Sequence, residues 1–277
     1  MKKVIYIDIG ELGWSLYLSA HVRWLKQHTD DYVGIMTFID RHCLYRDVAD
    51  SIYDVPDDFH IKFRRGTESR FGLKGTSPEK LKEYFSKRIP TEYELGGFFA
   101  RHSATIKART IFKPYTYSKK LNGGEEILVF PRWRTVGRLS MRNLPSKFYA
   151  KMIVALCKKY PDYIIRAMGI PSGAYDVNGI ERTNYVNDVR EGADLQDLID
   201  RCQVAVAAVG SQSAPPKIAL LQGVPTFMMG HQKARHVGQD NWMSTKVEFY
   251  DVPKKHYGNI DTRDCIDKII SFVGECQ

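Results

Sequence analysis

Val209–Pro225, VGSQSAPPKIALLQGVP, decides the fold, because it links a buried strand to a second strand through a small-residue turn and a proline-started helix. Just upstream, Val204 to Val209 (VAVAAV) is a continuous apolar run, the mark of a parallel strand covered on both faces. Gly210, Ser211, Gln212, Ser213 and Ala214 then read as a turn of small and polar residues. Pro215 and Pro216 suit a first helical turn, where a missing N–H costs nothing, and Gly223 closes the helix before the strand PTFMM. A helix N-terminus offers unpaired N–H groups and the positive end of a dipole. Here Ser211, Ser213 and Lys217 flank it at the carboxyl end of a strand, where open α/β sheets bind ligands. The expected guest is a phosphate or diphosphate; a connecting helix with no ligand is the alternative.

Glu125 to Arg134, EEILVFPRWR, is a second block of the same kind. Ile127 to Phe130 is a buried strand, Pro131 stops it, and Arg132 and Arg134 follow at its carboxyl end, facing the same crevice. Arginine presents a planar fork that matches phosphate oxygens; the alternative is a strand tip turned into solvent. The rest of the chain alternates strands and helices. Val4 to Ile9 is a strand, Gly10 to Gly13 its loop, Leu16 to Gln27 an amphipathic helix and Tyr32 to Met36 a second strand. Residues 57–120 read as turns at GTES, LKGTSPEK and ELGG with two helices between them, and NGGEE (Asn122 to Glu126) reads as a linker. Helices are expected over Ser146 to Lys159, Leu195 to Arg201 and Thr262 to Gly274, the last returning to brace the first half. A strand is expected over Asp162 to Ala167 and a loop, AMGIPSGAYD, after it.

These motifs resemble the heptosyltransferase-like, GT-B type glycosyltransferases. The run VGSQSAPPKIALLQGVP, preceded by DLQDLIDRCQ and the FPR strand, is similar to the family's donor-binding half. IGELGWSLYLSAHVRWLK resembles the first strand, glycine loop and helix of its acceptor half. The resemblance implies an α/β protein of two Rossmann-like domains facing across a cleft. Residues 1–121 would bind the acceptor and include a basic segment at 61–120, and residues 122–277 would bind a nucleotide-sugar donor. It implies an enzyme that moves a sugar from a nucleoside-diphosphate sugar to an acceptor hydroxyl, with Arg132, Arg134, Gly169, Gly210, Ser211, Gln212, Ser213 and Lys217 around the donor. Two positions depart from the family: Lys217 stands where it commonly has His, and Trp14 where its heptosyltransferases carry an Asp general base.

The base is therefore sought elsewhere. Glu11 lies on the loop at the carboxyl end of strand one, and Asp8 is the second candidate, with capping of loop N–H groups as its alternative role. Cations and a helix dipole can hold the departing diphosphate, and the chain has no Asp-x-Asp motif, so neither a metal nor a cofactor beyond the sugar-nucleotide co-substrate is expected. His21 is expected to be packed or solvated on helix one, whereas His231, Lys233, Arg235 and His236 are further candidates for contact with donor or acceptor.

With 277 residues, 43% of them apolar, the chain is long enough for one large or two modest domains. No run approaches the ~18 apolar residues of a membrane helix, so a cytoplasmic protein without integral membrane association is expected, in the host cytoplasm if phage-encoded. Its five cysteines lack CxxC spacing and indicate neither a disulfide framework nor a zinc site. Charge is uneven: residues 1–60 hold 6 Lys and Arg against 10 acidic residues, but residues 61–120 hold 15 against 5. That segment is also rich in Phe and Tyr, the composition a polyanion with stackable bases would select. The acceptor expected from it is a hydroxymethylated base in DNA, flipped from the stack and met by Gly13, Trp14, Arg64, Arg65 and Arg70. Transfer to a lipopolysaccharide core, or a non-catalytic nucleic-acid-binding module on a degenerate transferase fold, are the alternatives.

Overall fold

Residues 1–59, 77–99, 124–134, 142–239, 241, 244–253 and 257–277 are described by the computed structural model. They belong to two units, Met1–Tyr115 and Thr116–Gln277, whose boundary, like the expected one after residue 121, falls outside the described residues.

In the first unit the strands are β1 (Lys3–Asp8), β2 (Tyr32–Thr37), β3 (Ser51–Asp54) and β4 (Glu94–Phe99), all parallel, in the order β3-β2-β1-β4. The change of direction between β1 and β4 is the place where such sheets receive ligands. Helix α1 (Leu12–His28) follows β1 and packs Leu16, Leu18, Ala20 and Val22 inward, and α2 (Pro78–Ser86) covers the sheet with Leu81, Tyr84 and Phe85. The turn expected at ELGG is instead the interior of β4. Its two glycines explain the misreading: a Cβ at Gly96 would lie 2.5 Å from Val4 Cγ1, and Gly97 takes φ of 149° where the β1–β4 register shifts. Glycine there permits close strand approach at a bulge rather than a turn. Likewise Ser77, read as part of a turn, is the N-cap of α2, its hydroxyl accepting from Lys80 N, with Pro78 in the first turn.

His21 packs edge-on against the Tyr6 ring, centroids 5.0 Å apart, and burial pulls its pKa down to about 4. The unfolded chain therefore takes up a proton near pH 6.5, well before the folded one does, so stability should fall as pH drops from about 6.5 to 4. His21→Phe should flatten that slope in urea titrations run across the window; an unchanged slope would assign the pH dependence to other groups.

The second unit carries β5 (Glu126–Phe130), β6 (Ile164–Ala167), β7 (Tyr185–Asn187), β8 (Ala205–Ser211), β9 (Thr226–Gly230) and β10 (Val247–Asp251). All pair in parallel in the order β10-β9-β8-β5-β6-β7. The chain thus builds outward from β5 to β7, returns to the centre at β8, and builds outward the other way, which is the doubly wound Rossmann order with its switch point between β5 and β8. The connecting helices are α3 (Ser146–Lys159), α4 (Leu195–Gln203), α5 (Ala214–Leu221) and α6 (Thr262–Gly274). Of NGGEE, Gly124 to Glu126 are described, and they dock before β8: a Cβ at Gly124 would meet the Val204 carbonyl oxygen at 2.6 Å, and Glu125 and Glu126 donate their N–H groups to that oxygen. Helix α6 turns an apolar face to the core of its own unit. Cys265, Ile269, Phe272 and Val273 pack with Phe227, Tyr160 and Leu156.

A buried ionic cluster crosses this sheet. Arg166 on β6 donates from Nε and one Nη to the two Glu126 oxygens at 2.9 Å and from the other Nη to Asp188 at 2.8 Å, and Arg201 on α4 reaches Glu126 at 3.1 Å. Glu126 and Arg166 are both buried, whereas Arg201 is open to solvent.

Candidate anion site at the switch point

The two sequence blocks meet at the switch point. Phe130, the last residue of β5, sits opposite Gly210 on β8 in register, so the segments that leave these strands start side by side. A Cβ on Gly210 would lie 3.0 Å from Phe130 Cβ and 3.4 Å from Pro216 Cγ, so glycine lets β5, β8 and α5 close together there.

On the β5 side, Arg132 is only 6% exposed. It donates to Asn143 Oδ1, and Asn143 is also latched to the backbone of Arg134, accepting from its N–H at 3.0 Å and donating to its carbonyl at 2.7 Å. The loop after β6 supports the same segment: Arg132 pairs with Ala174 in an antiparallel bridge, Trp133 N donates to Gly173 O and Tyr175 N to Pro131 O. Gly169 makes that loop possible, with φ of 153° and the place of a Cβ only 2.5 Å from Ala174 Cβ. Its contribution is therefore backbone shape. Burial, and then the neighbouring charge of Arg142, pull the Arg132 guanidinium down to about 10, with Arg134 adding to the effect and Tyr149 and Tyr257 opposing it. Arg142 and Arg134 both disfavour the charge on Arg132, and an anion beside it would favour that charge.

On the β8 side, α5 begins at Ala214 with both prolines in its first turn. Ser213 stands at the N-cap, but its hydroxyl turns back to the Ser211 carbonyl at 3.0 Å and makes no cap bond to the helix. Lys217, 3% exposed, lies one turn into the helix, near the positive dipole end that disfavours a cation. Ser211 is fully buried beside the Tyr149 hydroxyl. That phenol is pushed up by burial, against the pull of the Ser211 hydroxyl and the Arg132 charge. Gln212, expected beside the donor, is a clamp between loops: its Oε1 accepts from His231 N at 2.8 Å and Gln232 N at 3.1 Å.

In the first unit the two base candidates part company. Asp8 is fully buried and accepts from Ser15 Oγ (3.0 Å), Thr37 Oγ1 (3.1 Å), Tyr45 Oη (2.9 Å) and Arg41 Nη1 (3.3 Å). Its oxygens face donors on every side, and it anchors β1, α1 and the 3-10 turn Ile39–Leu44 to one another. Glu11 is half-buried at the N-cap of α1, just past the carboxyl end of β1, and makes no side-chain cap bond. Gly13, where a Cβ would meet nothing within 4 Å, and Trp14, its ring tilted on Tyr17 at 5.8 Å, follow in the first turn. Arg64, Arg65 and Arg70 lie outside the described residues. Of the Phe and Tyr residues in 61–120, Tyr84, Phe85 and Phe98 are core residues, and Lys80 and Lys82 on α2 and Lys87 at its C-cap are exposed.

Sequence reasoning did not single out Arg142, Asn143, Tyr149 or Tyr257. No spacing links them to Arg132, and only the folded sheet brings them together. Among the described residues no group of three or more His, Cys, Asp or Glu could hold a metal ion, and no helix is long and apolar enough to cross a membrane.

Solved structures match this chain over 99% of its length. A glycosyl transferase family 9 protein from Veillonella parvula superposes with a TM-score of 0.62 at 10% identity, covering 99% of this chain and 97% of that one. The fold is that of the heptosyltransferases. The E. coli ADP-heptose lipopolysaccharide heptosyltransferase II matches with a TM-score of 0.59 at 12% identity, with 99% of both chains covered. The E. coli heptosyltransferase WaaC, solved with ADP, matches with a TM-score of 0.58 at 8% identity, covering 99% of this chain and 100% of its own. No protein-family model and no curated protein matches the chain.

Proposed function

We propose that the chain is a nucleotide-sugar glycosyltransferase that needs no metal and acts in the cytoplasm. The facing arrangement of its two units, as in GT-B enzymes, is part of that proposal. What supports it is that Arg132 and Arg134 follow β5 while the uncapped start of α5, with Lys217 one turn in, follows β8, and these two strand ends are neighbours at the switch point. Fixed donors and cations there can bind a diphosphate and hold the charge that develops as it leaves. The likeness to structures solved with ADP or named for ADP-heptose supports the same donor class. Glu11, at the carboxyl end of β1, would take the acceptor's proton; Asp8, enclosed by its donors, would hold the loop in place.

For the acceptor, the excess of 15 basic over 5 acidic residues in 61–120 favours a polyanion, which we take to be DNA bearing a hydroxymethylated base. Likeness to a lipopolysaccharide heptosyltransferase supports the second reading, a lipopolysaccharide core. Incubation with nucleotide-sugar panels and each acceptor, followed by mass spectrometry of the product, tests the function. A hexose or heptose mass increment on one acceptor supports it, and no transfer from any donor counts against it. The acceptor is separable by binding: duplex affinity should fall with salt at a log–log slope of about −0.9 per phosphate contacted. Arg64→Glu, Arg65→Glu and Arg70→Glu together should lower both affinity and slope. No binding at low salt would favour the lipopolysaccharide reading.

A further inference from the structure

Two neighbouring hydroxyls at the switch point make no hydrogen bond. Tyr149 Oη and Ser211 Oγ belong to fully buried side chains, and neither has a partner among the described residues. The sheet fixes where they lie. Ser211 ends β8, next to the Gly210 that faces Phe130 at the end of β5. Tyr149 stands in the first turn of α3, the helix that follows Asn143, and Asn143 is the acceptor of Arg132. Its ring lies 5.9 Å from that of Tyr175, whose N–H donates to Pro131 O beside Arg132. The phenol is thus close enough to feel the Ser211 hydroxyl and the Arg132 charge, while burial, the largest influence on it, keeps it protonated.

A buried hydroxyl without a partner costs free energy, and two side by side call for an explanation beyond packing. Turned toward one another they satisfy one proton between them, since each has one to give. The second proton still needs an acceptor. Arg132, the charged neighbour of the phenol, has none to offer. Just beyond Ser211 lies the N-cap of α5, where Ser213 turns its hydroxyl back to Ser211 O at 3.0 Å and leaves the helix start uncapped. An anion there would be the missing acceptor.

We propose that Tyr149 and Ser211 form a hydroxyl relay in which Tyr149 donates to Ser211 Oγ and Ser211 donates to a phosphate oxygen held at the start of α5. This rests on the anion-site reading above and adds Tyr149 as a positioning residue, which acts through Ser211 and touches no ligand itself. The turn opens at Ser213, whose hydroxyl exchanges the Ser211 carbonyl for the anion. The anion then polarises the relay outward, each bond strengthening the next.

Inorganic pyrophosphate is the probe, titrated calorimetrically into wild type, Y149F, S211A, the double variant and R132A. S211A should bind at least about 10-fold more weakly, the loss of one hydrogen bond to a charged group, and Y149F about 5-fold, that of a neutral one. The double variant should stay within about 2-fold of S211A, because Tyr149 acts only through Ser211. Urea unfolding without pyrophosphate supplies a second readout. The Y149F midpoint should equal or exceed that of wild type, since the ring is kept and the hydroxyl removed has no partner. A lowered Y149F midpoint, Y149F binding as tightly as wild type, or additive losses in the double variant would overturn the relay; if R132A is still weakened, the anion site stands. Should S211A fail to fold, Y149F decides by its affinity and midpoint. Absence of pyrophosphate binding by the wild type would overturn both.

Discussion

Glu126→Ala is expected to lower the unfolding free energy by about 3–5 kcal/mol, the cost of stranding a buried charge by removing its partner. The loss comes from Arg166, which is buried on β6 and gives two of its donors to Glu126. Asp188 would still satisfy one Nη, and Arg201, being open to solvent, would be rehydrated at little cost. The double variant Glu126→Met with Arg166→Leu should recover most of the loss, because a buried ion pair replaced by apolar groups of similar volume is often neutral. Urea unfolding of the three proteins checks both statements. A single variant within about 1 kcal/mol of wild type would mean that water reaches Arg166.

Glu11→Gln should leave donor binding intact and reduce kcat about 100-fold or more, the usual loss when a general base is removed. The side chain keeps its shape and its place at the start of α1, where no cap bond depends on its charge. Asp8→Asn is a different experiment. It disturbs a fully buried carboxylate that Ser15, Thr37, Tyr45 and Arg41 all address, so its first readout should be a lowered melting temperature. Single-turnover rates with saturating donor separate the two. Near wild-type turnover in Glu11→Gln would move the base elsewhere in the chain.

The elements that read cleanly were those whose local pattern and tertiary role agree. VAVAAV, the prolines of α5 and Gly223 mark a strand, a helix start and a helix end by their own conformational preferences, and the structure has β8, α5 and β9 there, although Gly210 and Ser211, read as turn, end β8, and Ala214 opens α5. The helix over Ser146–Lys159 was legible for the same reason. Where glycine served packing rather than turning, the reading failed. ELGG lies inside β4 because Val4 and Tyr6 crowd Gly96, a fact about neighbours roughly ninety residues away in sequence. The site divides along the same line. Arg132 and Lys217 follow strand ends, Ser211 ends β8, and all three could be found from the strands, whereas the partners around them could not. Asn143 holds both arginine positions, and Tyr257 reaches His231 across the unit. Such contacts depend on sheet order, which single-sequence periodicity does not encode. Polar residues that close a buried network carry no periodic signal at all, as with Thr37, Arg41 and Tyr45 around Asp8.

The β5–β8 switch point is proposed to bind the diphosphate of a nucleoside-diphosphate sugar. Calorimetric titration of ADP, GDP, UDP and dTDP into wild type, Arg132→Ala and Lys217→Ala tests it most directly. At least one nucleotide should bind the wild type, and each substitution should weaken it by about 1.5–3 kcal/mol, the range for hydrogen bonds to charged groups. Equal affinity in the wild type and both variants, or no binding of any of the four nucleotides to the wild type, would contradict the assignment.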